Sequence, residues 1–121
     1  MLYNRFPATA PAFTGTPFAV RVRDTDGTTE VSLCGEIDLA NAAVIEAQLL
    51  GACVGPNRFV KVDLHAVSLI DGRGVRACLN AQRLAREQGY ELVFSEPEGI
   101  VARVIRVLGL ESMMLGSASD E

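Results

Sequence analysis

The chain has 121 residues, 49% of them apolar and 21% charged, and a formal net charge of −4. That length and composition fit one domain with a real core and exclude wholesale disorder. Its basic residues form no run, which argues against direct nucleic-acid binding, and no apolar window of about 18 residues is present for a membrane span.

Residues 1–17 carry Pro7, Pro11 and Pro17 among Ala, Thr and Gly, and read as a flexible arm. No basic region followed by a long apolar run opens the chain, so no secretory leader is expected and the cytoplasm is the default location. Residues 18–23 alternate apolar and polar, as a half-buried strand does. Asp24-Thr25-Asp26-Gly27 is turn chemistry, and residues 30–37 make the second arm of a hairpin. Asp38 stands as the expected N-cap of a first helix bearing Val44, Ile45 and Leu49, which Gly55-Pro56-Asn57 closes off.

A third strand is expected over residues 59–64. A second helix over 74–88 places Val75, Cys78, Leu79 and Ala85 at helical spacing, with Gln82 interrupting the stripe and Gly89 at its end. Residues 90–94 read as a fourth strand. Pro97 opens a third helix with Ile100, Val101, Val104, Ile105 and Leu108 on its apolar face and Gly109 after it. A hairpin followed by alternating strands and helices implies an α/β sandwich, a mixed sheet of four to five strands with helices mainly on one face.

The most informative stretch is Ser68-Leu69-Ile70-Asp71-Gly72-Arg73-Gly74, which leads from a strand-like run into a helix. Such a junction puts unpaired backbone N–H groups and a positive dipole end at the surface. Asp71 has two compatible readings: N-cap of the second helix, or a contact to a partner or metal. Gly72 and Gly74 permit a tight turn, or, with Arg73, an anion cradle. Arg73 and Arg76 are candidate partner contacts; Arg83 and Arg86 read as a solvated face.

Cys34, Cys53 and Cys78 lack CxxC spacing, and their odd number does not suggest a disulfide framework. They read as small core residues or, alternatively, as a redox control. His65 has no Cys or His neighbour, so no metal is expected. No nucleophile–base–acid set is present, and neither enzymatic activity nor a cofactor is expected.

Four motifs in register resemble the STAS domain family of anti-sigma factor antagonists over residues 18–115, with 116–121 left as a tail. They are Gly35-Glu36-Ile37-Asp38, Asp63-Leu64, Ile70-Asp71-Gly72-Arg73-Gly74 and Gly109-Leu110. The resemblance implies a STAS-like sandwich and partner switching. An unphosphorylated antagonist binds an anti-sigma factor, often a serine kinase, and frees a sigma factor; phosphorylation of the first Ser in the loop releases it, through added charge in a desolvated contact.

Here the chain departs from the pattern. Gly72 occupies the acceptor position and Arg73 the next hydroxyl position. Glycine accepts no phosphoryl group, so the usual switch is expected to be absent, with Ser68 a lesser alternative acceptor. By the same resemblance the partner surface comprises Asp38, Asp71, Gly72, Arg73, Gly74 and Arg76. Two alternatives stay open: a STAS accessory subunit of a lipid-transport ABC system, docking on its ATPase, and a sensor of nucleotide or another small anion. The chain starts and stops around one domain, so a freestanding protein is expected; a homodimer is left open.

Overall fold

The computed structural model describes residues 17–95 and 97–114. The arm expected over residues 1–17, Pro17 apart, and the tail expected over 116–121 lie outside them. In chain order the elements are β1 (Phe18–Thr25), β2 (Thr28–Ile37), α1 (Ala42–Gly51), β3 (Phe59–Ile70), α2 (Gly72–Glu87), β4 (Glu91–Phe94), α3 (Gly99–Val107) and the short α4 (Glu111–Met114). They build one four-stranded sheet in the order β1-β2-β3-β4.

β1 and β2 form the expected antiparallel hairpin, turning at Asp26-Gly27, where Gly27 has φ 80°. β2 pairs with β3, and β3 with β4, in parallel. Parallel neighbours need a crossover, and crossovers of this kind are right-handed. Two of them stepping the same way across the sheet put α1 and α2 on one face. Burial agrees. Val20, Val22, Val31, Leu33, Val60, Val62, Leu92 and Phe94 point into the helix-covered core, while Arg21, Arg23, Ser32, Cys34, Lys61 and Asp63 face outward. Arg23 and Glu30 pair across the hairpin on this open face at 2.8 Å.

Three expectations need correction. β3 does not stop at Leu64 but runs on to Ile70. Its register against β2 shifts twice, between Ser32 and Cys34 and between Gly35 and Glu36. Each shift inserts one extra residue into β3, so its buried positions fall at 60, 62, 64, 67 and 70. Strict alternation ends where the strand does not.

α1 begins at Ala42, with Asn41 at its N-cap position, so Asp38 is not its cap. α2 begins at Gly72 rather than Gly74. Its far end closes as a Schellman turn, with the N–H of Gly89 on the Arg86 carbonyl and that of Tyr90 on the Ala85 carbonyl.

Gln82, which interrupts the apolar stripe of α2, is buried and used. Its Nε2 donates to the carbonyls of Leu92 (3.0 Å) and Met114 (3.3 Å), tying α2 to β4 and α4. A buried amide with such partners is a brace rather than a defect.

Cys78 lies in the same core. Burial, reinforced by the Glu46 carboxylate, pushes its thiol up to about 12 from 9.0. The unfolded chain gives up this proton first, so the folded state loses stability as pH rises from about 9 toward 12. Denaturation midpoints followed across that range should fall more steeply for the native sequence than for Cys78→Ala; parallel slopes would show that this thiol carries none of the dependence.

Candidate functional site

The loop singled out in the sequence lies where β2 and β3 end side by side. Ile37 and Ile70 are paired in register, and the N–H of Asp71 donates to the Ile37 carbonyl at 3.1 Å. The chain then turns directly into α2. Asp71 adopts extended backbone, and its carboxylate Oδ1 accepts the N–H of Gly74 at 2.9 Å. The capping reading of Asp71 is therefore correct, and it leaves the rest of the carboxylate exposed.

Gly74 and Gly72 have different reasons to be glycine. A Cβ on Gly74 would lie 2.7 Å from Ile37 Cγ2, 2.8 Å from Ile70 Cγ1 and 2.9 Å from the Ile37 carbonyl oxygen. Backbone cannot yield there, so the absence of a side chain is what lets α2 start against the sheet edge. At Gly72 a Cβ would meet nothing within 4 Å, and the backbone is not left-handed. The fold does not require glycine at position 72.

Asp38 lies on the neighbouring strand end and has a local role unlike the one expected. Its Oδ1 accepts the N–H of Ala40 at 2.9 Å, and its carbonyl accepts the N–H groups of Asn41 and Ala42. Asn41, fully buried, holds this turn from beneath. Its Oδ1 accepts the Asp38 N–H at 3.0 Å, and its Nδ2 donates to the Glu36 carbonyl at 2.8 Å. Sequence reasoning missed Asn41, although an Asn just before a helical run is the residue type that satisfies backbone groups at such a turn.

The structure thus gathers Asp38, Asp71, Gly72, Arg73 and Gly74 at one edge, with Arg76 one turn further along α2. Arg73 and Arg76 are exposed, and neither pairs with a carboxylate among the described residues. Two more side chains belong here and were not foreseen: Leu39 is 65% exposed and Leu69 is 40% exposed. They adjoin Asp38 and Ile70, so the edge carries apolar as well as charged groups. Ser68 is part of β3 rather than of the loop, its hydroxyl donating to the Gly35 carbonyl at 3.4 Å.

The cysteines are free and lie on different sides of the sheet. Cys34 is exposed on the open face, whereas Cys53 and Cys78 are buried on the helix side. Cys53 donates to the Leu49 carbonyl at 3.6 Å. Among the described residues no group of three or more His, Cys, Asp or Glu is placed to hold a metal, and no helix is long and apolar enough to cross a membrane. His65 lies 3.5 Å from Glu98, both exposed.

A hairpin leading into two β–α crossovers, with a capped glycine loop at the carboxyl ends of β2 and β3, defines the STAS class of α/β sandwich. The chain matches the family model described as "Mlab, STAS domain" over residues 20–116, and it belongs to this STAS family. Among solved structures it is similar to an anti-sigma factor antagonist from Mycobacterium paratuberculosis, with a TM-score of 0.68, 22% identity, 84% of this chain and 86% of that one covered. It is also similar to the anti-sigma factor antagonist SpoIIAA in its unphosphorylated form, with a TM-score of 0.65, 23% identity and coverages of 80% and 86%. A third likeness is to part of the murine anion transporter Slc26a9, with a TM-score of 0.63, 18% identity, and 73% of this chain but 15% of that one covered. At these identities the likeness concerns the fold. No curated protein matches the chain significantly.

Three outcomes test this geometry. Gly74→Ala should lower stability by about 1–3 kcal/mol in chemical denaturation, because the added methyl meets backbone as well as side chains. Gly72→Ala, with open space around it, should be neutral or slightly stabilising. A thiol reagent added to native protein should modify Cys34 quickly, and Cys53 and Cys78 only after unfolding. Rapid labelling of more than one thiol would contradict the burial described above.

Proposed function

We propose that this protein is an anti-sigma factor antagonist that binds an anti-sigma factor of the serine-kinase type and so frees a sigma factor. On this reading it is a binding module and not an enzyme. The observation that carries it is the end of β2 and β3 at Asp38 and Asp71–Gly74, where a rigid capped loop adjoins two exposed leucines and is followed by two exposed arginines that make no ion pair among the described residues. Arginines beside exposed apolar groups on a preformed frame suit a protein interface, where a few anchors, arginine prominent among them, dominate binding. Arg73 and Arg76 would meet acidic groups of the partner, and Leu39 and Leu69 an apolar recess. The likeness to anti-sigma factor antagonists supports the assignment.

Phosphorylation at the usual loop position has no acceptor in this chain. Binding would therefore be constitutive, or set by expression, by the redox state of the cysteines or by a ligand. The space around Gly72 makes this testable. A serine there fits without displacing any neighbour, and a phosphate at the first position of α2 would be tolerated by the helix dipole. The same phosphate, carrying about −1.5 to −2 charge, would repel acidic groups on a docked partner.

A second reading keeps a specific observation in its favour. The matching family model carries the name Mlab rather than that of an anti-sigma factor antagonist. An accessory subunit docking on the ATPase of a lipid-transport ABC system would use the same edge with a different partner.

The deciding experiment is capture of partners by the tagged protein from its own lysate under reducing conditions, followed by titration calorimetry with the purified partner. An anti-sigma kinase supports the first reading; transporter ATPase subunits replace it with the second. With the kinase in hand, Leu39→Asp and Arg73→Glu should each weaken binding by at least about tenfold. Gly72→Ser should fold like the native protein, bind, accept phosphate from the kinase and then release it. A Gly72→Ser protein that stays bound after phosphorylation would mean that the docking surface lies elsewhere.

A further inference from the structure

The opposite end of the sheet carries a second constellation that the docking edge does not use. The amino ends of the parallel strands are level there, with Thr28 paired to Phe59 and Phe59 to Glu91. The segments leading into them border a shallow, open concavity of about 510 Å³, lined among others by Arg58, Phe59, Arg86, Gly89, Tyr90 and Glu91.

Its central feature is a guanidinium held in advance. Arg58 lies over the ring of Tyr90, 4.5 Å from the centroid. The ring is itself anchored at both ends. Its hydroxyl donates to the Gly55 carbonyl at 3.0 Å, and its backbone N–H donates to Ala85 within the Schellman turn. The Arg58 main chain is fixed too, its carbonyl accepting the N–H of Glu91 at 2.8 Å. A guanidinium stacked through its face keeps its edge N–H groups for an anion, and its ordering cost is met before a ligand arrives.

Arg86 adds a second guanidinium from the last turn of α2. Neither Arg58 nor Arg86 pairs with a carboxylate among the described residues, although Arg83, on the same helix, pairs with Glu87 at 3.1 Å. The negative end of α2 does not face the concavity bare, because the Schellman turn occupies the carbonyls of Ala85 and Arg86. Phe59, 36% exposed, supplies an apolar wall, and Glu91 is the one carboxylate in the lining.

We infer that this concavity binds a small organic anion, a phosphate or carboxylate head on a planar or apolar body, with Arg58 and Arg86 taking the head and Phe59 the body. Bidentate guanidinium contacts suit both heads. The inference is independent of the docking partner, since it uses none of the residues at the Asp71 edge. It moves the small-anion alternative away from the start of α2 to the other end of the strands.

The two arginines also have purely structural uses: Arg58 covers Tyr90, and Arg86 complements the helix dipole. The test separates these from binding. The full chain is titrated with phenyl phosphate, benzoate and inorganic phosphate while its backbone amides are followed by NMR. Saturable shifts at Arg58, Gly89, Tyr90 and Glu91, without shifts at Asp71 to Gly74, are expected with the first two probes, and the stronger of these identifies the head group. Inorganic phosphate, lacking the body, should bind more weakly.

Arg86→Gln and Arg58→Lys should each weaken binding by about tenfold or more while the rest of the spectrum stays native. Lysine at position 58 keeps the charge, so a loss there reports the planar, stacked donor rather than charge alone. Shifts spread over every arginine-bearing surface, no saturation with any probe, or unchanged affinity in both variants would overturn the assignment.

Discussion

The contact on which the site depends is the one that excludes a side chain at Gly74. There the first turn of α2 lies against Ile37 and Ile70, the last residues of two parallel strands, with the Ile37 carbonyl oxygen closer than a Cβ would allow. Because α2 starts flush with the sheet edge, Asp71 must make the whole turn from strand to helix. It does so with both ends tied, its N–H to Ile37 and its carboxylate to Gly74. The exposed residues that follow, Gly72, Arg73 and Arg76, are thereby held on a frame rather than on a loose loop. Position 72 sits two residues from this tight contact and has open space around it, so its identity is free to answer to function.

The paired edge is completed by a different device. β3 absorbs two extra residues against β2, which keeps Val67 and Ile70 in the core while turning Ser68 and Leu69 outward. On the adjoining strand end, buried Asn41 spans the backbone of Glu36 and Asp38 and lifts Leu39 into solvent. Leucine is costly to leave in water. Two such residues lie near the ends of the strands that hold the rigid loop, and the proposed function assigns them to a partner.

Much of this was legible in the sequence where local rules act alone. The hairpin turn at Asp26-Gly27, the apolar spacing on α2, the Gly89 ending and the cap at Asp71 all follow from backbone chemistry within a few residues. Legibility failed where two strands had to agree. The alternation of β3 breaks after Leu64 because bulges change which residues face the core, and no single strand reveals its neighbour's register. Asp38 has the composition of a cap, yet the helix starts later because Asn41 and the Asp38 turn satisfy the same backbone groups first. Gln82 read as a flaw in a stripe because its acceptors, Leu92 and Met114, are distant in sequence.

By itself, then, the order of residues determined the element types, the crossover pattern with helices on one face, the STAS resemblance and the lack of a hydroxyl at position 72. These rest on periodicity, turn chemistry and residue identity, which are local. Only the tertiary structure decided that Gly74 is sterically required whereas Gly72 is not. It alone left Leu39 and Leu69 exposed near the strand ends that carry Asp38 and Asp71, and put Cys34 across the sheet from the buried thiols. It also brought Arg58, Arg86 and Tyr90 together at the far end. Each of these depends on distances between segments remote in the chain, which are set by strand register and helix packing rather than by any neighbouring residue.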